Sequence, residues 1–146
     1  MENILVVQTY PYSIEQVWEA LTDPTALADW LMPGDFKPVV GHKLQFRCGE
    51  PHPEFDGSID VQVLETNKPN RLSYSWKTKN MPKPSTVTFI LTSTRDGGTH
   101  LRLEHSGLEG DSGKLMHPLF KGGWELKLGS QLGLVLARRD QRGTRS

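Results

Sequence analysis

This chain has a single cysteine, no excess of either charge, no long apolar run and none of the compact motifs that announce a reaction. Each absence removes a class of protein. One cysteine, Cys48, in 146 residues excludes an intrachain disulfide framework and fits a reducing compartment, with Cys48, in phase with Leu44 and Phe46, read as a small core residue. Seventeen basic and seventeen acidic side chains cancel, so no global field draws in nucleic acid, an anionic membrane or a charged substrate. No apolar stretch reaches the roughly 18 residues that span a bilayer, and Met1-Glu2-Asn3 is not the basic start of a secretory signal. The expectation is a cytoplasmic protein with neither membrane nor nucleic acid as partner.

There is no Gly-x-Ser-x-Gly elbow, no His-Glu-x-x-His, no Walker loop and no dinucleotide fingerprint. No catalytic residue and no cofactor are assigned, and an enzyme is the less favoured reading. His52, Glu54 and Asp56 are metal-ligand types, but their spacing matches no zinc or calcium pattern and Pro51 and Pro53 stiffen the segment, so no metal site is expected. The glycines at 107, 110 and 113 form no phosphate cradle, because Glu109 and Asp111 sit among them.

What is present is an ordered set of amphipathic elements, enough for one domain over residues 1–146 with a frayed tail at 140–146. Ile4 to Thr9 reads as a first strand, stopped by Tyr10-Pro11. Ser13 and Gln16 form a capping box for a short helix whose buried stripe is Ile14, Val17, Trp18 and Leu21. Asp23-Pro24 breaks that helix and starts a second one, with Leu27, Trp30 and Leu31 apolar, ended by Met32-Pro33-Gly34. The period then changes to two. Leu44-Phe46-Cys48, Ile59-Val61-Val63, Leu72-Tyr74-Trp76, Val87-Phe89-Leu91 and Leu101-Leu103-His105 each alternate with polar neighbours, and Asp96-Gly97-Gly98 supplies a hairpin turn. Such a meander has one wet and one covered face.

The cover is a helix from about Lys114 to Arg139, with Trp124, Leu128, Leu132 and Val135 facing the sheet. Gly129, Gly133 and Ala137 repeat at spacings of four on an adjacent face. Interior glycine costs a helix roughly 0.8–1 kcal/mol, so the pattern asks for a close backbone, a neighbouring cavity or a homodimer contact; a monomer and a homodimer both remain open. Sheet and helix together enclose a space. Its expected lining is aromatic: Trp30, Phe46, Tyr74, Trp76, Phe89 and Trp124, continued by Leu128, although aromatics at such spacings also serve as plain core. His105 points inward in phase with Leu101 and Leu103, Glu125 falls within the apolar arc of the helix, and this pair could orient a ligand or exchange protons with it. Met116, His117 and Phe120 are placed as a gate over one mouth, with the 107–113 segment as its moving part.

Tyr12-Ser13-Ile14-Glu15-Gln16-Val17-Trp18, Asp23-Pro24 followed by Leu27 and Trp30, Val40-Gly41 leading into Leu44-Gln45-Phe46, Leu72-Ser73-Tyr74-Ser75-Trp76, Gly98-Thr99-His100-Leu101-Arg102-Leu103-Glu104-His105-Ser106-Gly107 and Gly122-Gly123-Trp124 occur in that order. Together they resemble the activator-of-heat-shock-protein-ATPase-like family, within the START and birch-pollen-allergen-like (SRPBCC) superfamily. The resemblance implies an α+β helix-grip fold: a curved antiparallel sheet wrapped around a long C-terminal helix, with a cavity between them and two short helices after the first strand. It implies a small apolar or aromatic ligand, a chaperone partner in a stress-related role, or cyclase-like chemistry in the same cavity, since the superfamily hosts all three. Eukaryotic activators of the chaperone ATPase carry a separate N-terminal domain, whereas this sequence starts at the first strand of the C-terminal type of domain. Ligand binding is therefore the leading expectation, ahead of co-chaperone activity.

Overall fold

The computed structural model describes residues 3–47, 57–79 and 81–143; Cys48 and the His52, Glu54, Asp56 group lie outside them. Strand β1 (Ile4–Tyr10) is followed by helices α1 (Ile14–Thr22) and α2 (Pro24–Trp30), strands β2 (Lys43–Arg47), β3 (Ser58–Asn67), β4 (Arg71–Trp76), β5 (Ser85–Ser93) and β6 (Thr99–Ser106), and helix α3 (Gly110–Leu126). A π turn (Lys127–Gln131) leads from α3 into α4 (Leu132–Gly143). The six strands form one antiparallel sheet in the order β1-β6-β5-β4-β3-β2.

Alternation sets which side chains face inward. Ile4, Val6 and Tyr10 of β1, Val87, Phe89 and Leu91 of β5, and Leu101, Leu103 and His105 of β6 are all buried, with Leu5, Val7 and Arg102 turned outward. The capping box at Ser13 and Gln16 forms as expected, and Pro24 opens α2 at its first positions. Between β5 and β6 the turn closes through Thr94 and Gly98, with Gly97 at φ +86°.

The C-terminal helix differs from expectation in two ways. It begins at Gly110 rather than Lys114, so Gly110 to Gly113 form its first turn instead of a moving loop. Gly113 is pressed against Leu108: a Cβ there would lie 2.6 Å from the Leu108 carbonyl carbon, so only glycine lets the helix start so close to the preceding chain. Met116 is fully buried, which takes it out of any gate.

The second difference is the π turn. Met116, Phe120, Trp124, Leu128, Leu132 and Leu136 are all buried at a constant spacing of four. At 3.6 residues per turn each such step overshoots a full turn by about 40°, and five steps would carry the stripe about 200° around the helix. A wider i to i+5 turn rotates less per residue and absorbs part of that drift, and the Leu132 N–H duly bonds to the Lys127 carbonyl. Tyr10 donates its hydroxyl to the Leu128 carbonyl at 2.6 Å, tying β1 to the π turn. Neither spaced glycine has a backbone against it: a Cβ on Gly133 would meet nothing within 4 Å and one on Gly129 only the Gln8 side chain. At the far end, Asp140 accepts from Gln16 at 2.8 Å and Arg139 bonds Asp23 at 2.9 Å. Helix α4 runs to Gly143, and the bond from Gln16 ties Asp140 to α1.

Candidate functional site

The inward face of β2 to β6 and the inward stripe of α3 meet in a continuous run of rings. Trp76, at the end of β4, lies 5.1 Å from Trp124, 6.0 Å from Phe120, 6.3 Å from Phe46 and 5.8 Å from His105, centroid to centroid. Tyr74 and Phe89 continue the run at 5.9 Å, and Trp30 closes on Phe89 edge-on at 6.5 Å. Phe36, which the sequence does not single out, stacks on Phe46 at 6.4 Å.

At one end of this run lies a cavity of about 270 Å³, near the small end of ligand pockets, which span roughly 300–1,000 Å³. Its walls come from the exit of α2 (Leu31, Met32, Pro33), the neighbouring ends of β2, β3 and β4 (Arg47, Ile59, Trp76), and α3 with the turn that follows it (Leu119, Phe120, Gly123, Trp124, Lys127). Two backbone features bring these parts together. The Arg47 N–H donates to the Pro33 carbonyl at 3.0 Å, locking the exit of α2 onto the edge strand. Gly34 allows that approach, because a Cβ there would sit 2.7 Å from the Phe46 ring and 2.9 Å from the Gln45 carbonyl.

Of the side chains expected to line a cavity, Trp76, Phe120 and Trp124 stand on its wall. Trp30, Phe46, Tyr74, Phe89, Leu128 and His105 are buried in the packed run behind it, and His117 is half-buried on α3. Arg47, Lys127 and the Leu31-Met32-Pro33 exit are wall residues that sequence reasoning misses. The alternation assigns Arg47 to the wet face, and Leu31-Met32-Pro33 reads only as the end of a helix. Ile59, in phase with Val61 and Val63, carries a readable signal.

His105 is fully buried and both of its ring nitrogens are engaged. Trp124 donates Nε1–H to Nδ1 at 3.1 Å, and Nε2 lies 2.6 Å from the Ser85 hydroxyl. Because an indole only donates, Nδ1 must accept, which assigns the proton to Nε2. His105 then donates to Ser85, and Ser85 donates in turn to the Trp76 carbonyl at 2.9 Å. Burial, aided by the charge of nearby His117, pushes the His105 pKa down to about 3. A neutral imidazole whose Nε2 already carries a proton cannot take one from Ser85, so this serine and histidine are not a nucleophile and its base. Glu125, expected beside His105, is exposed on the outer side of α3 and cannot act with it; the fourfold spacing of the buried stripe leaves position 125 one step outside it.

The contrast is Trp76. Its Nε1–H is buried with no acceptor among the described residues, at a cost of about 1–3 kcal/mol for a neutral donor left unmade, whereas Trp30 bonds the Ala20 carbonyl at 2.7 Å. Among the described residues no group of histidine, cysteine and acidic side chains could hold a metal ion, and no helix is long and apolar enough to cross a membrane.

An antiparallel sheet gripping a C-terminal helix, with an apolar cavity at one end of the grip, defines the class of the protein as a helix-grip α+β domain. The chain belongs to the activator of Hsp90 ATPase homolog 1-like family, whose sequence pattern matches residues 11–137. It is similar to protein MLL2253 from Mesorhizobium loti at 33% identity and a TM-score of 0.82, covering 94% of this chain and 98% of that one. CalU16 from Micromonospora echinospora matches at 26% identity and a TM-score of 0.74, over 96% and 79% of the two chains. PFC0360w, an HSP90 activator from Plasmodium falciparum, matches at 23% identity and a TM-score of 0.73, over 94% and 97%, a level at which the likeness speaks to the fold. No curated protein matches the chain. Family and fold support a ligand-binding or co-chaperone-like module.

Proposed function

We propose that this protein is a cytoplasmic small-molecule binding domain that takes an apolar or aromatic compound into the cavity between α2, the sheet and α3. The observation that carries the reading is the cavity itself: a partly open apolar cleft of about 270 Å³ walled by Trp76, Phe120 and Trp124, with one buried donor on that wall unpaired among the described residues. The saturated state of His105 favours binding over turnover. Comparison of native and denaturing mass spectra of freshly purified protein tests the reading, joined by a thermal-shift screen of apolar and aromatic compounds. A released mass or a saturable shift is expected; neither a mass difference nor any shift across the screen would refute it.

A second reading has its own support. The family is described by its likeness to an Hsp90 ATPase activator, and the polar face of β2 to β4, with Lys43, Gln45, Asp60, Gln62 and Lys77, forms a shallow open concavity suited to a protein surface. On this reading complex formation with a heat-shock chaperone survives a substitution that fills the inner cavity.

A further inference from the structure

Among the described residues, the nitrogen and oxygen atoms that side chains bring to the cavity wall all belong to donors. Among the described residues lining it, only Arg47, Lys127, Trp76 and Trp124 carry side-chain nitrogen or oxygen. Guanidinium, ammonium and indole N–H have protons to give and no lone pair with which to accept one. Trp124 spends its N–H on His105, and Lys127 donates to the Leu31 carbonyl at 3.1 Å. Arg47 is exposed at the end of β2 and gives one of its five N–H groups to Gln45 at 2.7 Å. Trp76 has its N–H buried and unpaired among the described residues. No described carboxylate, hydroxyl or amide side chain lines the space.

A ligand hydroxyl or ammonium would find no acceptor among the described side chains of this wall. An apolar body that ends in an anionic acceptor would find donors there, with the positive charge of Arg47 at the mouth. The zero net charge of the chain does not oppose this, because at physiological salt exposed charges act within about a Debye length, roughly 8 Å. Resting on the ligand-binding reading above, we propose that the cavity selects compact organic carboxylates: the ring or chain lies against Trp76, Phe120 and Trp124, and the carboxylate pairs with Arg47. A guanidinium fork fits a carboxylate through two parallel N–H bonds.

The test is a titration of the intact chain by calorimetry with four probes of one ring system: naphthoate, methyl naphthoate, naphthalene and naphthylmethylammonium. Naphthoate is expected to bind about fivefold tighter than its ester, the upper end for a partly exposed charge pair, and the ammonium probe weakest. Arg47→Gln, at an exposed position that does not endanger folding, is expected to remove most of the difference between acid and ester, while Arg47→Lys retains part of it. An ester or ammonium probe that binds as tightly as naphthoate would overturn the proposal, as would an acid preference left intact in Arg47→Gln. Binding of naphthalene alone would keep the cavity and discard the carboxylate; no binding by any of the four would overturn the carboxylate proposal, while the ligand-binding reading falls only with a flat mass-spectrometric and thermal-shift screen.

Discussion

His105 and Trp76 lie 5.8 Å apart on the same sheet face, both buried and both aromatic with polar atoms, yet they are opposite cases. Every nitrogen of His105 has a partner, supplied by Trp124 on one side and Ser85 on the other. The one polar atom of the Trp76 side chain has none among the described residues, and it belongs to a ring on the cavity wall. A buried polar group that is fully bonded stiffens a core, whereas one left without a partner in a native fold calls for an explanation. The pair separates a structural site from a candidate binding site within a single cluster of rings.

The sharpest way to break this contrast is to delete the histidine. His105→Ala strands the Trp124 N–H, removes the donor from the Ser85 oxygen while Ser85 keeps its bond to the Trp76 carbonyl, and leaves a void, so urea denaturation should report a loss of about 3 kcal/mol or more. If the protein remains folded, affinity for an apolar ligand should change little; a loss of binding with unchanged stability would reverse the roles assigned here.

Acid should act on the same residue. The His105 pKa is about 3 in the folded chain against 6.5 for an ordinary histidine, so below pH 6.5 the unfolded state binds a proton that the folded state refuses. Stability is therefore complete above about pH 6.5 and falls as pH drops toward 3. The loss is roughly 2 kcal/mol between about pH 7 and about pH 5. Denaturation curves across that range measure it, and His105→Gln should flatten the slope.

A smaller effect compares the two tryptophans directly. Trp124→Phe and Trp76→Phe remove the same volume, but only the first removes a hydrogen bond that is made. Trp124→Phe should be more destabilising by about 1 kcal/mol, and equal losses would mean that the Trp76 N–H has a partner after all. The smallest effect lies in the helix. Gly123 faces the cavity, and a Cβ at that position would meet nothing within 4 Å. Gly123→Ala should therefore raise stability by about 0.5–1 kcal/mol through helix propensity alone, read as a higher thermal midpoint.

Most of the fold is legible in the sequence because its signals are local and periodic. The alternation from Leu44 to His105 fixes which face of each strand is inward, and Ser13 with Gln16 and Asp23 with Pro24 mark the helix boundaries by capping and proline chemistry. The start of the C-terminal helix is not legible because its cause is tertiary: Gly113 lies against Leu108, a contact no spacing reveals. The π turn does leave a trace, since a stripe at constant spacing of four cannot stay on one face of a regular helix, but spacings of three and four taken together look like ordinary amphipathicity.

The site is less legible than the fold. Trp76, Phe120 and Trp124 follow from phase and position, whereas Arg47 reaches the wall only because the end of β2 is bonded to Pro33. Ser85 carries no signal as the first residue of a strand, so the partner that keeps His105 silent is invisible in the sequence. A broad apolar arc places Glu125 inward, and the real helix, with its narrow stripe, has no such arc.

Whether the cavity binds a ligand is decided by a thermal-shift screen of apolar and aromatic compounds run in parallel on the wild-type chain and on Gly123→Leu, whose side chain would grow into the cavity from α3. A saturable rise in midpoint is expected for wild type and is lost in Gly123→Leu while the fold is retained. Equal shifts in both proteins, or none in either, would contradict it.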